Sequence, residues 1–283
     1  MTLALLALTL LLAAPAQARM LGFSGSPAAY RELRGLDAVV HADFVSFGSD
    51  WRALLARDRR LRAVALLTWE PWDESLAAIA DGRDDAYLRR VAGEVAAERG
   101  PVYIRFAHEM NGDWYPWAGD PTAYVAAWRH IWRVFAAAGA TNARWVWAPD
   151  LFAGLPRARW RLAVAAYWPG ARYVDIVGTS LVVFASGSRW SLAYRFASID
   201  WLHRRFARPF WLAEVKVNAA QREAWLAQLR GELRPRQWIS ALIWSQTPSR
   251  AQASGAPTGQ MDWSLGADPL AQRLLRAAVD AGT

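Results

Sequence analysis

The chain has 283 residues, 54% of them hydrophobic, no cysteine and a formal net charge of +8. The lack of cysteine excludes a disulfide framework, thiol catalysis and cysteine-based zinc sites, so a large apolar core must hold the fold. Basic residues such as Arg57, Arg59, Arg60 and Arg62 are interleaved with apolar ones at helical spacing. They read as solvated helix faces, and no nucleic-acid partner is expected.

Residues 1–18, MTLALLALTLLLAAPAQA, form an apolar run broken by Pro15 and closed by Ala16-Gln17-Ala18. That is the length and small-x-small ending of a cleavable secretory leader. It is short of the roughly 20 apolar residues that span a bilayer. The expectation is a secreted or periplasmic protein whose mature domain is 19–283, with no stable membrane insertion.

Short apolar runs then recur at 20–25, 37–47, 63–69, 102–109, 144–149, 174–180, 210–215 and 239–245, with amphipathic stretches between them. Between the third and fourth runs, Leu88, Val91, Ala92 and Val95 share one helical face, and Gly100-Pro101 stops the helix. After the fourth, Asp120 is placed to cap a helix with Pro121 at its first position and Gly139 past its end. Tyr124, Trp128, Ile131, Trp132 and Phe135 are its buried stripe. Asp268-Pro269 repeats the same start for a last helix. Eight strands alternating with helices predict a single-domain (β/α)8 TIM barrel, a fold of about 250 residues. The competing open doubly wound sheet lacks a Gly-x-Gly-x-x-Gly after its first strand.

In such a barrel the chemistry sits at the C-terminal ends of the strands. Glu109 and Glu214 directly follow strongly apolar runs, and an unpaired carboxylate there is costly unless it serves a site. Two carboxylates facing one another across a barrel mouth suit glycosidic cleavage. One protonates the leaving oxygen; the other attacks the anomeric carbon or activates water. The chain carries 18 tryptophans against 10 phenylalanines and 8 tyrosines. Trp69, Trp72, Trp114, Trp117, Trp147 and Trp244 fall at strand ends or in loops, where indoles can stack on sugar rings. Arg105 precedes Glu109 by four residues and is expected on the same strand face, keeping the site's carboxylates ionised.

The segment RFAHEMNGDWYPWAG (105–119) resembles the strand-4 signature of glycoside hydrolase family 26, whose best-known members are endo-β-1,4-mannanases. LLTWEPW (66–72), RWVWAPD (144–150) and YVDIVGTS (173–180) are similar to that family's strand 3, 5 and 6 segments, in order. The resemblance implies a retaining TIM-barrel glycosidase that needs no cofactor and takes a polysaccharide substrate, a β-mannan or a bacterial exopolysaccharide. It implies Glu109 as acid/base and Glu214, in WLAEV, as nucleophile. Trp114 would line the subsite around the cleaved bond, and His108 would support binding beside the acid. One departure stands out. After Gly178 the family usually has an Asp and then a Tyr that hydrogen-bonds the nucleophile, where this chain has Ser180 and Val182. Tyr167, Tyr173 and Tyr194 are the candidates to replace that phenol.

Two rivals follow from the same residues. A metal-dependent hydrolase would draw on His41 and His108 with Asp43, Asp150 or Asp175, but neither His-x-His nor His-Glu-x-x-His occurs. A sugar-binding barrel without turnover, a scaffold in exopolysaccharide production or export, would use the aromatic set alone. A serine hydrolase is not indicated, since GFSGS (22–26) is not a Gly-x-Ser-x-Gly elbow.

Overall fold

A computed structural model describes residues 18–151, 155–184, 191–247, 249–250, 260–266 and 268–282. The run expected to be a leader thus lies, but for its last residue, outside the described residues. Eight parallel strands close into a barrel: β1 Met20–Ser24, β2 Val40–Ser46, β3 Val64–Glu70, β4 Val102–Phe106, β5 Ala143–Trp147, β6 Ile176–Val183, β7 Phe210–Val217 and β8 Ile239–Ser245. The ring is sealed where β8 pairs with β1, Met20 opposite Ala241 through Ser24 opposite Ser245. Outside it lie α1 Pro27–Glu32, α2 Trp51–Leu61, α3 Leu76–Ala80, α4 Asp85–Ala96, α5 Pro121–Ala137, α6 Arg157–Ala166, α7 Leu192–Phe206, α8 Arg222–Leu233 and α9 Pro269–Val279. Among the described residues no helix is long and apolar enough to cross a membrane.

The local signals act as their chemistry requires. Asp120 and Asp268 accept hydrogen bonds from the backbone N–H groups of Ala123 and Ala271, each with proline at the helix start. On α4, Leu88, Val91, Ala92 and Val95 are all buried. On α5 the buried stripe is Tyr124, Ala127, Trp128, Ile131 and Phe135, with Trp132 only partly covered.

Two packing surfaces share the apolar residues. Leu66, Val146, Ile176, Trp211, Ala213 and Ile243 fill the barrel interior. Leu67, Trp69, Trp147, Leu212, Val215 and Trp244 belong to the larger cluster between strands and helices. Strict alternation would carry Trp211 and Ala213 on to an inward Val215. Instead β7 carries one extra residue: Leu212 pairs with Thr179, but Glu214, not Ala213, pairs with the next residue, Ser180. Against β8 the register slips over the same stretch. A bulge of this kind re-aims the side chains beyond it, so Val215 and Val217 turn to the helices while Glu214 and Lys216 turn to the barrel mouth.

The wall is closely packed at β1. A Cβ on Gly22 would stand 2.6 Å from Ile243 Cδ1 and 2.8 Å from the Val40 carbonyl oxygen. Just before it, the buried Arg19 guanidinium donates to five carbonyls, those of Leu233, Arg236, Ile239, Val279 and Ala281. Because backbone blocks the position, Gly22→Ala is expected to destabilise the fold by about 2–3 kcal/mol. The check is a lowered urea midpoint at unchanged slope.

Candidate active site

β4 stops at Phe106, three residues short of the apolar run that marks it in the sequence. Ala107 (φ 45°) and Glu109 (φ 54°) adopt the left-handed conformation, which non-glycine residues rarely do and which ends extended backbone. Hydrogen bonds hold this turn in place. The Ala107 N–H donates to Trp69 O and the Glu109 N–H to Ala148 O. Asn111 donates to the Asp150 carbonyl at 3.0 Å and accepts from the Asp150 N–H at 2.8 Å. The turn takes Glu109 out of the strand and brings its carboxyl beside Glu214, so Arg105 and Glu109 do not share a regular strand face.

Glu109 and Glu214 meet there. One oxygen or ring nitrogen from each of His108, Glu109 and Glu214 lies within 4.8 Å of the others, and all three residues are buried. Their surroundings push the two acids apart in proton affinity. Burial, then the charges of Asp150 and Glu214, raise Glu109 to about 7, offset only in part by the Ser180 hydroxyl and Arg105. Burial would raise Glu214 too, but the Lys216 ammonium and Arg105 guanidinium outweigh it and hold that carboxyl below the usual carboxylate range. The contacts are short: Arg105 Nη2 to Glu214 Oε2 is 2.9 Å and Lys216 Nζ to Glu214 Oε1 is 2.6 Å. Arg105 is fixed in turn by Nε donating to Thr68 Oγ1 at 2.9 Å. The expectation that Arg105 keeps both carboxylates ionised is corrected accordingly; its hydrogen bond goes to Glu214.

Of the nominated tryptophans, two lie at the mouth. Trp114 Nε1 donates to Glu109 Oε2 at 2.9 Å. Its ring lies so close over the backbone that a Cβ on Gly112 would come within 2.6 Å of it. Trp72 is 38% exposed and donates to Glu70 Oε2 at 3.1 Å. The other four are corrected, being fully buried and unable to meet a sugar. Trp69 stacks on Phe47 behind the wall, Trp147 donates to Tyr167 O, and Trp244 donates to Trp263 O. Trp117 stacks on Tyr115 at 4.3 Å and donates to His108 O at 2.7 Å, so it braces the histidine.

His108 is buried, and burial followed by the Arg105 charge drives its pKa well down, leaving a neutral imidazole. The Tyr115 hydroxyl lies 3.2 Å from its Nε2. Glu70 is a third carboxyl at this mouth, raised to about 7, first by burial. A divalent cation among His108, Glu109 and Glu214 would stand beside the fixed charges of Arg105 and Lys216, an arrangement that disfavours it. His41 is spent elsewhere, 2.8 Å from Asp58 Oδ1, and Asp43 pairs with Arg57. Among the described residues the two Glu214 oxygens are engaged by Arg105 and Lys216, and the candidate phenols have contacts elsewhere. Tyr167 accepts from the Gly119 N–H, Tyr173 packs on Trp132, and Tyr194 lies under the Arg157 guanidinium. Lys216 is the residue that sequence reasoning missed. Its signal was there, two residues after Glu214 and so on the same strand face.

Residues 78–194 match the model of glycosyl hydrolase family 26. The chain is 28% identical over 268 residues to Endoglucanase H of Acetivibrio thermocellus, covering 90% of this chain and 29% of that protein. It is 33% identical over 116 residues to mannan endo-1,4-beta-mannosidase A and B of Caldalkalibacillus mannanilyticus, covering 38% of this chain and 19% of that protein. This chain therefore spans less than a third of either relative. A solved modular endo-β-1,4-mannanase from Cellulomonas fimi shares the fold, with a TM-score of 0.67, 15% identity, and 95% of this chain and 72% of that one covered. Strand-4 motif, family model and barrel point the same way: the chain is similar to glycosyl hydrolase family 26, most directly over residues 78–194.

Proposed function

We propose that this protein is an exported endo-glycosidase that cuts a β-linked polysaccharide with retention of configuration, Glu109 being the acid/base and Glu214 the nucleophile. The observation that carries the reading is the pair of buried carboxyls with opposite protonation preference, oxygens within 4.8 Å of each other. Carboxyl separations of about 5–5.5 Å accompany double displacement, and wider gaps leave room for water and inversion. Relatives that are an endoglucanase and a mannan endo-mannosidase support a β-linked hexose polymer as the substrate class. Export is supported by the leader-like run at 1–18.

The chemistry follows from the two environments. Glu214 attacks the anomeric carbon as the bond to the leaving oxygen breaks, and Glu109 gives its proton to that oxygen. The result is a neutral glycosyl ester and a Glu109 carboxylate. Water then attacks the same carbon, Glu109 takes its proton, and the ester bond breaks to restore the Glu214 carboxylate. Trp114 holds Glu109 at the orientation both proton transfers need. Trp72, exposed at the rim, offers a face to a neighbouring sugar.

Reducing-end release by the purified protein on mannan, glucomannan, β-1,3-xylan, mixed-linkage glucan, cellulose and acidic exopolysaccharides tests the reading. Activity on one of them is expected to fall at least about 10³-fold in Glu109→Gln and in Glu214→Gln. Early products seen by NMR are expected in the β configuration. Binding without cleavage by the wild-type protein, or α products, would overturn the proposal.

The pH profile is a second test. Glu109 must hold its proton, so kcat/KM is expected to fall as pH rises through about 7. Glu214 stays ionised below the usual carboxylate range, so no matching loss is expected from pH 6 down toward about 4. Trp114→Phe removes an N–H that favours the ionised form of Glu109. The alkaline limb should then move up by about one pH unit, the worth of one charge-assisted hydrogen bond.

A further inference from the structure

Lys216 is the single lysine among 33 basic residues. Arginine occupies every other basic position, while this one has a compact, mobile ammonium on a four-carbon stem. It stands with Nζ 2.6 Å from Glu214 Oε1, while Arg105 holds Oε2 at 2.9 Å. Both oxygens of the proposed nucleophile are thus engaged by cations. An oxygen so held attacks poorly until its partner lets go. A neutral sugar gives the ammonium no anion in exchange, but a sugar bearing a carboxylate does.

We infer that the sugar at the cleaved bond is a uronic acid, whose carboxylate draws Lys216 away from Glu214 and frees the attacking oxygen. The inference rests on the two-carboxylate glycosidase reading and names its substrate class. Other features of the mouth point the same way. Arg105 Nη1 is buried without a hydrogen-bond partner among the described residues, so a charged donor is in surplus beside the proposed nucleophile. The Lys216 side chain is 16% exposed, enough to meet a ligand entering from the mouth. From β6 the site receives Ser180 and Val182, neither of which carries charge. Glu70 and Glu109 hold protons up to about 7, through burial first, and His108 is neutral. Beyond them Asp150 acts on Glu109 and is countered by Arg195. In mildly acidic solution Arg105 and Lys216 therefore face one anion, Glu214, and one substrate carboxylate balances the pocket.

Matched polymers isolate the carboxylate. β-1,4-Mannuronan and β-1,4-glucuronan are compared with the mannan and glucan made by reducing their carboxyl groups, which keep linkage and ring stereochemistry. The wild-type protein is expected to favour one uronan over its reduced partner by at least about tenfold in kcat/KM, and Lys216→Met to lower that ratio about 100-fold. A second readout needs no variant. Lys216 and the chain's N-terminus are the only amines, so acylation followed by peptide mapping reports on Lys216 alone. Oligosaccharides of the preferred uronan should protect it, and their reduced counterparts should not. Cleavage of the neutral polymers, with neither uronan cut nor protective, would overturn the inference and leave the glycosidase reading standing. A wild-type protein that cuts no polymer, here or in the wider panel, overturns both.

Discussion

Everything at the mouth depends on one buried anion held between two cations. Desolvation alone would protonate both Glu109 and Glu214, and two protonated acids cannot divide the labour of acid and nucleophile. Arg105 and Lys216 break that symmetry by stabilising charge on one member only. Once Glu214 is fixed as an anion, its own field helps keep the proton on Glu109. Removing either cation would thus act on both acids, since each carboxyl is part of the other's environment.

Regular strand geometry does not deliver these groups. Glu214 and Lys216 reach the mouth because β7 gains a residue between its lower and upper halves. Glu109 reaches it because the chain leaves β4 through left-handed positions that a reciprocal Asn111–Asp150 pair and the Ala148 carbonyl secure. Unfavourable backbone of this sort persists only where its surroundings over-determine it. The two irregularities lie on strands three positions apart in the ring, and between them they set the separation of the carboxyls.

How much of this was legible in the sequence depended on the kind of signal. The barrel was, because the helical stripes of α4 and α5 and the Asp-Pro starts are local patterns with one physical reading. Glu109 and Glu214 stood out because acids after apolar runs have few other uses. The tryptophans did not separate, since in a parallel barrel both faces of a strand are buried and an apolar residue reads alike on either. Trp69, Trp147 and Trp244 proved to lie on the helix side, in phase with Leu67, Trp145 and Leu242. Lys216 shares the face of Glu214 by simple alternation, but which way that face turns depends on a bulge that leaves no local mark.

The Arg19 clamp has a consequence for how the ring forms. Its five acceptors lie between 214 and 262 residues further along the chain, from the end of α8 to the start of β8 and at and just past the end of α9. No part of that arrangement exists until nearly the whole polypeptide is available, and contacts of such sequence separation are slow to form. A nascent sheet of strands one to seven therefore has two unpaired edges and a buried-type cation with nothing to bind. The seam between β1 and β8 cannot be sealed before strand eight is made, and until then the open edges are where association with other chains would begin.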